Sequence, residues 1–596
     1  MLPHLSRTVN NRMSTHRLLI LRKGYTMKLN LKKIIAGVVA CATVVSCQPV
    51  AAAAFSATVD TVRIGIYNSG AKNYASANLQ NVTNYGYGYE LGYYDSDRDF
   101  HSLGGSITDT NTISMIIDRN MVYNSSSNSY SAGTSGSVVV GCFHIQLDTA
   151  YSSYASALAA AGSFSSANAF VKYSAGNFYV CLGSYISADA ASSAASSMGI
   201  GQSYSITSGT SYTVTVVETG TSRILFEFEY GTSYYLAVRP IKSGGTKTQT
   251  WFKGYKYYGD FTYVRASGGN MYVVNYVNLE DYVKGVLPYE MSASWPKEAL
   301  KAQAVSARTF VIANLNKHRN LGFDICNTDD CQVYRGTGSA NSNSDAAVEE
   351  TAGKYLTYNG SLCETYYYSC NGGASENSEN VWSAALPYCR GVADPYESKI
   401  ADSFSKYYWT ETYTGSELAS KLQSKGYSCS TIVNFQVSEF TPTGNVLKIM
   451  FTDSNGKTFT FSKERCRTLL GLNSQRYTIN GTSPSSSGIY VNGSASTING
   501  DLSDSYAIGT GGTDSVTSGN VYAITGTGTI EAVTPSSSGS SGGSSGSGSF
   551  VISGSGWGHN VGMSQWGAYC MAKYYNLDYE DILTFYYTGA EVTTSK

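Results

Sequence analysis

The sequence predicts a multi-domain α+β protein: a β-rich domain built on one central helix, a small βαββα-type sandwich ahead of it, and a Ser/Gly-rich β insert. Three observations carry this. Short alternating apolar runs, such as TVRIGIY from Thr61 to Tyr67, have the period of half-buried strands. One segment, SWPKEALKAQAVSARTFVIANLNKH from Ser294 to His318, repeats Leu300, Ala304, Ala307, Val311 and Leu315 at three and four, the stripe of an amphipathic helix. Residues 484–550 are mostly Ser, Gly and Thr, too poor in apolar side chains to fill a large core.

Taken in order, the first element is an export signal. Met27 opens the basic MKLNLKK, thirteen apolar or small residues come next (IIAGVVACATVVS), and QPVAAAA offers small-residue cleavage sites. Residues 1–26 then read as upstream of the true start, and 1–54 as leader. VVSC, ending at Cys47, also has the form of a lipoprotein acylation site; cleavage in the alanine run is the preferred reading. The remainder is expected outside the cytoplasm. Ten of the twelve cysteines lie beyond the leader, so disulfides are permitted, with Cys326–Cys331 or Cys363–Cys370 close enough in sequence to pair. Buried free thiols are the alternative.

Residues 55–137 read as a β-rich segment. From Val138 to about residue 220 the pattern sharpens into strand (VVVGCFHIQL), small-residue helix (YSSYASALAAAG), two strands around Ser174–Asn177, and a second helix (SADAASSAASSMG). FYVCLGSYISADAASSAASSMG, Phe178 to Gly199, resembles the second half of the sporulation-related repeat (SPOR) domain. That resemblance implies binding to glycan strands stripped of stem peptides.

From about 255 to 482 the composition becomes ordinary. NMYVVNYVNLEDYVKGVLPYE alternates and then turns polar, which places Glu290 on a loop between a strand and the helix. Ser294 is the expected N-cap, with Pro296 in the first turn. Tyr289, Met291 and Trp295 surround the carboxylate in sequence. An apolar wall raises a carboxylic acid's pKa, because desolvation disfavours the anion, and a raised acid can protonate a leaving oxygen near neutral pH. Spacing alone does not assign that role, since a single loop glutamate is ordinarily solvated. Pro535 to Ser549 reads as a flexible tether within the 483–549 insert, so the last segment, 550–596, is expected to return to the core domain.

That last segment contains GWGHNVGMSQWGA, Gly556 to Ala568. Together with Leu279–Met291, Ser294–Thr309, FDICNTDDCQVYRG (Phe323–Gly336), and YYYSCNGGASENSENVW (Tyr366–Trp382) ahead of Pro387–Tyr388, it resembles the stage II sporulation protein D and amidase-enhancer family, in order along the chain. One departure is Asn560, where the family usually writes glycine; Asn is the next-best residue at positive φ. The resemblance implies an exported lytic transglycosylase with Glu290 as its acid/base. Ordinary glycosidases need two carboxylates; a lytic transglycosylase works with one, because the muramic acid C6 hydroxyl attacks C1.

The same segment offers Trp557 and Trp566 as flat faces for sugars, and His559, Ser564 and Gln565 as donors and acceptors. Tyr289, Gln303, Arg308, Gln332, Tyr334, Ser369, Gly372 and Gly373 complete the expected cleft lining. No metal is expected. Some members of the family carry zinc near the cysteine block, and Cys326 and Cys331 are candidate ligands, but His318 is eight residues away and Asp330, not histidine, precedes Cys331. The expected partners are peptidoglycan glycan strands and an N-acetylmuramoyl-L-alanine amidase. A net charge of −1 disfavours nucleic acid. With 14% charged residues and 50 tyrosines, the surface is polar without being ionic, which suits sugar rings. The rival readings are a non-catalytic amidase activator and a wall-binding protein.

Overall fold

The computed structural model describes residues 59–244, 247–265, 269–480 and 549–595, with four short strands between 506 and 533. The leader, including Met27 and Cys47, and the tether from Pro535 to Gly548 lie outside the described residues. The fold is mixed α+β and strand-rich. Among the described residues no helix is long and apolar enough to cross a membrane.

Two large sheets dominate the first half. A seven-stranded sheet runs Ile325–Cys326, Thr61–Gly65, Tyr272–Asn278, Asp260–Val264, Leu236–Lys242, Gly86–Tyr94, Phe100–Ile107. It joins the first described strand to the two strands that lead into the Glu290 region. The other sheet has ten strands. One end of it has the element order strand Phe143–Leu147, helix Tyr154–Gly162, strands Ala169–Ser174 and Asn177–Tyr185, helix Ala188–Met198, strand Tyr204–Ser208. The strand, helix, strand, strand, helix order is as expected, with a further strand after it. This sheet does not stop there: Ala169–Ser174 pairs in parallel with Ile224–Glu229, and the ladder continues through Val214–Glu218 to Thr112–Ile117 and Ser76–Asn81.

The strand Tyr272–Asn278 ends in an asparagine that caps the next helix: Asn278 Oδ1 accepts the Glu280 N–H at 3.0 Å. That helix, Leu279–Glu290, stands where a polar loop was expected. Glu290 is its last residue. Burial of Tyr282, Val283, Val286 and Leu287 stabilises the helix despite Pro288.

The central helix spans Lys297–Ala313. Its N-cap is Pro296, not Ser294, which lies two residues outside. Nor is it buried along one stripe: from Ala299 to Ile312 every residue except Lys301 is buried, so the helix is enclosed rather than laid on a surface. Leu315 falls beyond its end.

A second core lies around Leu418, Phe435, Ile449, Phe451 and Ile552. Here Ser549–Ser555 pairs between Tyr408–Thr414 and Tyr477–Ile479, and Met563–Ser564 pairs in parallel with Tyr367–Tyr368. The last segment therefore does return to the domain that precedes the insert. Within the insert, Tyr506–Gly509 pairs with Gly512–Ser515 and Val521–Ile524 with Ile530–Val533. All ten described cysteines are free thiols, so neither Cys326–Cys331 nor Cys363–Cys370 is bridged.

Candidate functional site

Glu290 is half-buried at the C-terminal end of its helix. Its Oε1 accepts the Val333 backbone N–H at 2.8 Å. Its Oε2 faces the Gln565 amide nitrogen at 3.5 Å, long for a hydrogen bond. The Tyr367 hydroxyl is a third partner. Burial pushes the carboxyl above its ordinary range, and these three neutral donors only partly offset it. The helix C-terminus, carrying partial negative charge, also disfavours the anion. Among the described residues no second carboxylate and no cation acts on its protonation.

The donors are themselves held. Gln332 is buried; it accepts from the Tyr282 hydroxyl at 2.8 Å and donates to the Tyr367 hydroxyl at 3.1 Å. A chain of neutral groups thus runs Tyr282, Gln332, Tyr367, Glu290. Gln565 is the first residue of the helix Gln565–Tyr575, whose N-cap is Ser564. Ser564 is fully buried and its hydroxyl bonds to Glu397. Glu397 in turn accepts the Asn371 N–H at 2.8 Å and the Gly372 N–H at 3.0 Å. Burial and the neighbouring Asp394 push its carboxyl up to about 8. This buried acid ties the Ser369–Gly373 turn to the segment that carries Gln565.

The expected residues divide into three groups. Glu290, Gln332 and Gln565 are brought together. Ser369, Gly372, Gly373 and Ser564 form the framework just described, the Ser369 carbonyl accepting the Trp566 N–H at 2.9 Å. The third group makes structural contacts rather than contacts with the carboxylate. Arg308 is fully buried, makes a two-pronged contact with Glu280 at 2.8 and 2.6 Å, and donates to the Val348 and Lys354 carbonyls. It ties two helices together and offers nothing to a sugar. Gln303 is also fully buried, and Tyr334 spends its hydroxyl on Asn275 at 2.7 Å. Tyr289 packs edge-on against Tyr255.

His559 sits among the rings of Tyr366, Tyr368 and Trp382. Its Nδ1 accepts the Val561 N–H at 3.2 Å, and burial pushes its pKa down to about 4. It is a neutral brace for the loop rather than a free donor. Trp566 packs into a cluster with Trp295 at 4.6 Å and Phe404 at 4.8 Å, whereas Trp557 is exposed. Asn560 does adopt positive φ, +65°. Gly562 shows why the loop is glycine-rich: a Cβ there would lie 2.1 Å from the Tyr366 carbonyl oxygen.

Two partners of Glu290 escaped the sequence reading. Tyr367 lies in a run of three tyrosines, and strand alternation marks it as the member facing away from Tyr366 and Tyr368. Val333 acts through its backbone, which leaves no trace in side-chain identity.

A second cluster joins His318, Cys326, Asp330 and Cys331, whose ligand atoms lie within 4.8 Å of one another. The histidine that linear spacing left remote is brought in by the turn between it and the cysteine strand: the His318 N–H donates to the Asp324 carbonyl at 3.0 Å.

The stage II sporulation protein (SpoIID) family profile matches residues 267–358. An uncharacterized protein of Brachyspira hyodysenteriae is 32% identical over 344 residues, covering 57% of this chain and 73% of that protein. The amidase enhancer of Bacillus subtilis is 31% identical over 326 residues, covering 52% of this chain and 40% of its own length. Stage II sporulation protein D of the same organism is 33% identical over 216 residues, 34% of this chain and 60% of that one. The chain thus spans under two thirds of these last two.

Proposed function

The chain belongs to the family of stage II sporulation protein D and the amidase enhancer, and on that premise we propose that it is an exported, cell-wall-associated lytic transglycosylase. It cleaves the bond between N-acetylmuramic acid and N-acetylglucosamine in peptide-free glycan strands. The observation that carries this reading is the carboxyl of Glu290, raised by burial and, among the described residues, contacted by neutral donors alone. Such a group is protonated further up the pH scale than a solvated glutamate and can hand its proton to the glycosidic oxygen. As the C1–O bond breaks, the muramic acid C6 oxygen bonds to C1, and the Glu290 carboxylate takes the C6 hydroxyl proton. The acid is regenerated, no water is consumed, and the product ends in a 1,6-anhydro ring. Val333 and Gln565, one on each carboxylate oxygen, fix the group's orientation.

Mass spectrometry of products from peptide-free strands tests this. Anhydro ends from the wild-type chain that vanish with Glu290→Gln support it; equal release by both overturns it. The amidase-enhancer relative keeps a partner role in view: an activator without turnover would bind an amidase and release no anhydro sugar. The region 138–220 is read as a SPOR-like glycan-binding element, testable by pull-down of strands with and without it.

The His318, Cys326, Asp330 and Cys331 cluster fits zinc in donor type and number. Four protein ligands leave no open position, so the ion would be structural. It would clamp the loop that immediately precedes Gln332 and Val333. Stoichiometric zinc by elemental analysis, lost in Cys326→Ser, is the expected result; its absence from the wild-type chain removes the assignment.

A further inference from the structure

The loop that steadies Glu290 continues past it. Val333 gives its N–H to the carboxylate, and farther along the same loop a Cβ at Gly338 would lie 3.2 Å from the Tyr289 hydroxyl. The loop therefore runs from Glu290 to the residue next to it in sequence, with Arg335 in between. The backbone is pinned on both sides of Arg335. Tyr334 is buried and its hydroxyl donates to Asn275 at 2.7 Å, and the Thr337 N–H donates to the Lys256 carbonyl at 2.8 Å. Gly336, at φ +68°, permits the second hold: a Cβ there would lie 1.9 Å from that same carbonyl oxygen.

Arg335 itself is exposed. Its guanidinium lies 5.7 Å from the centre of the Tyr255 ring, and Tyr255 packs edge-on against Tyr289 at 6.5 Å. Among the described residues the guanidinium makes no hydrogen bond and no ion pair. Arg63, Arg308 and Arg390, by contrast, each hold a carboxylate. An exposed arginine is ordinarily just solvated. What sets this one apart is its place. The two residues of chain between it and the N–H on the Glu290 carboxylate span at most about 7 Å. Its side chain therefore reaches the sugar at Glu290 or the next one along. Tyr255 and Tyr289, both half-buried, supply ring faces beside it. A planar guanidinium with unused donors takes a carboxylate by two parallel hydrogen bonds.

We propose that Arg335 is a specificity-determining residue of the Glu290 site, and that it reads the free lactyl carboxylate a muramic acid carries once its stem peptide is gone. The proposal rests on the transglycosylase reading above. In a peptide-bearing strand the same carbon is an amide: the charge is lost, and one acceptor oxygen is replaced by N–H. Removal of the peptide thus creates the group that the guanidinium holds. The pinned backbone keeps the arginine in place before the strand arrives, so little ordering is required on binding.

The test compares peptide-free glycan strands with the same strands after their lactyl carboxylates are converted to methylamides, a change that removes the charge and adds little bulk. The full wild-type chain is expected to release anhydro ends from native strands with a kcat/KM roughly three- to tenfold above that for methylamide strands. In Arg335→Gln that preference is expected to vanish. In the wild-type chain it should shrink as salt rises, because the guanidinium is exposed. Equal turnover of the two strands by the wild-type chain, or a preference that survives Arg335→Gln, would overturn the proposal. Equilibrium binding of both strands to a chain carrying Glu290→Gln, with and without Arg335→Gln, reads the same preference in the absence of turnover. A wild-type chain that releases no anhydro ends therefore sinks the Glu290 reading alone, and the binding preference still decides on Arg335.

Discussion

Two glutamates that the fold draws out of water, one within the ten-stranded sheet and one at a helix end beyond the seven-stranded sheet, meet opposite fates. Glu227, in the ten-stranded sheet, is fully buried; Lys172 lies 3.0 Å from one oxygen and His144 3.3 Å from the other. Burial pushes its carboxyl up, but Lys172 and, when protonated, His144 outweigh it and hold it at about 2. Glu290 is buried less completely and no cation among the described residues acts on it, so burial wins and the carboxyl is raised. Whether a buried acid is a salt-bridge anchor or a proton donor is decided by the charge of its partners, not by depth. Glu397 makes the third case. Raised like Glu290 but fully buried, it holds backbone and a serine.

The comparison breaks most sharply on paired substitutions. Glu290→Gln is expected to lower anhydro-sugar release by about 10²- to 10⁴-fold with the thermal midpoint little changed. Glu227→Gln should do the reverse: activity per folded molecule retained, but stability down by about 3–5 kcal/mol, because Lys172 and His144 lose their counter-charge. Denaturant melts alongside product assays would show it, and a Glu290→Gln chain that fails to fold would undo the contrast.

The pH response of stability sharpens it next. Glu227, depressed in the fold, contributes stability that is present above the unfolded carboxylate range and is lost as pH falls toward about 2. Glu290, raised in the fold, contributes with the opposite slope: full below the unfolded range, lost as pH rises through its folded pKa. Melts across the acid and neutral range should therefore show Glu227→Gln flattening the loss of stability on the acid side. Glu290→Gln should flatten the loss that sets in as pH climbs above the ordinary glutamate value of 4.5.

The smallest expected effect concerns the donors. Tyr367→Phe removes a hydrogen bond that holds the Glu290 carboxyl down, so the basic limb of the rate profile should move to higher pH, with activity at the optimum falling less than about tenfold. A limb that moves to lower pH would show that Tyr367 is not a donor to this group.

Much of this was legible before the fold. The Ser294–Thr309 and Gly556–Ala568 blocks marked the central helix and the returning segment, and Asn560 was readable as a positive-φ residue because few side chains tolerate that conformation. The site was legible only in part. Arg308 and Gln303 look like cleft residues on a helix drawn as amphipathic; they are buried because other elements enclose that helix on every side. Arg308 answers to Glu280 across helices, a pairing that local periodicity does not encode.

What the sequence determined by itself is local chemistry: which residue can carry a proton, which turns demand glycine or asparagine, and where a tether frees a segment to return. The tertiary structure alone decided which groups meet. It set a backbone N–H from Val333 and an amide from Gln565, 275 positions away, on the two oxygens of one carboxylate. It also drew His318 to two thiols. The physical reason is that a pKa or a ligand set depends on distances of a few ångströms in space, and those are fixed by packing between elements rather than by order along the chain.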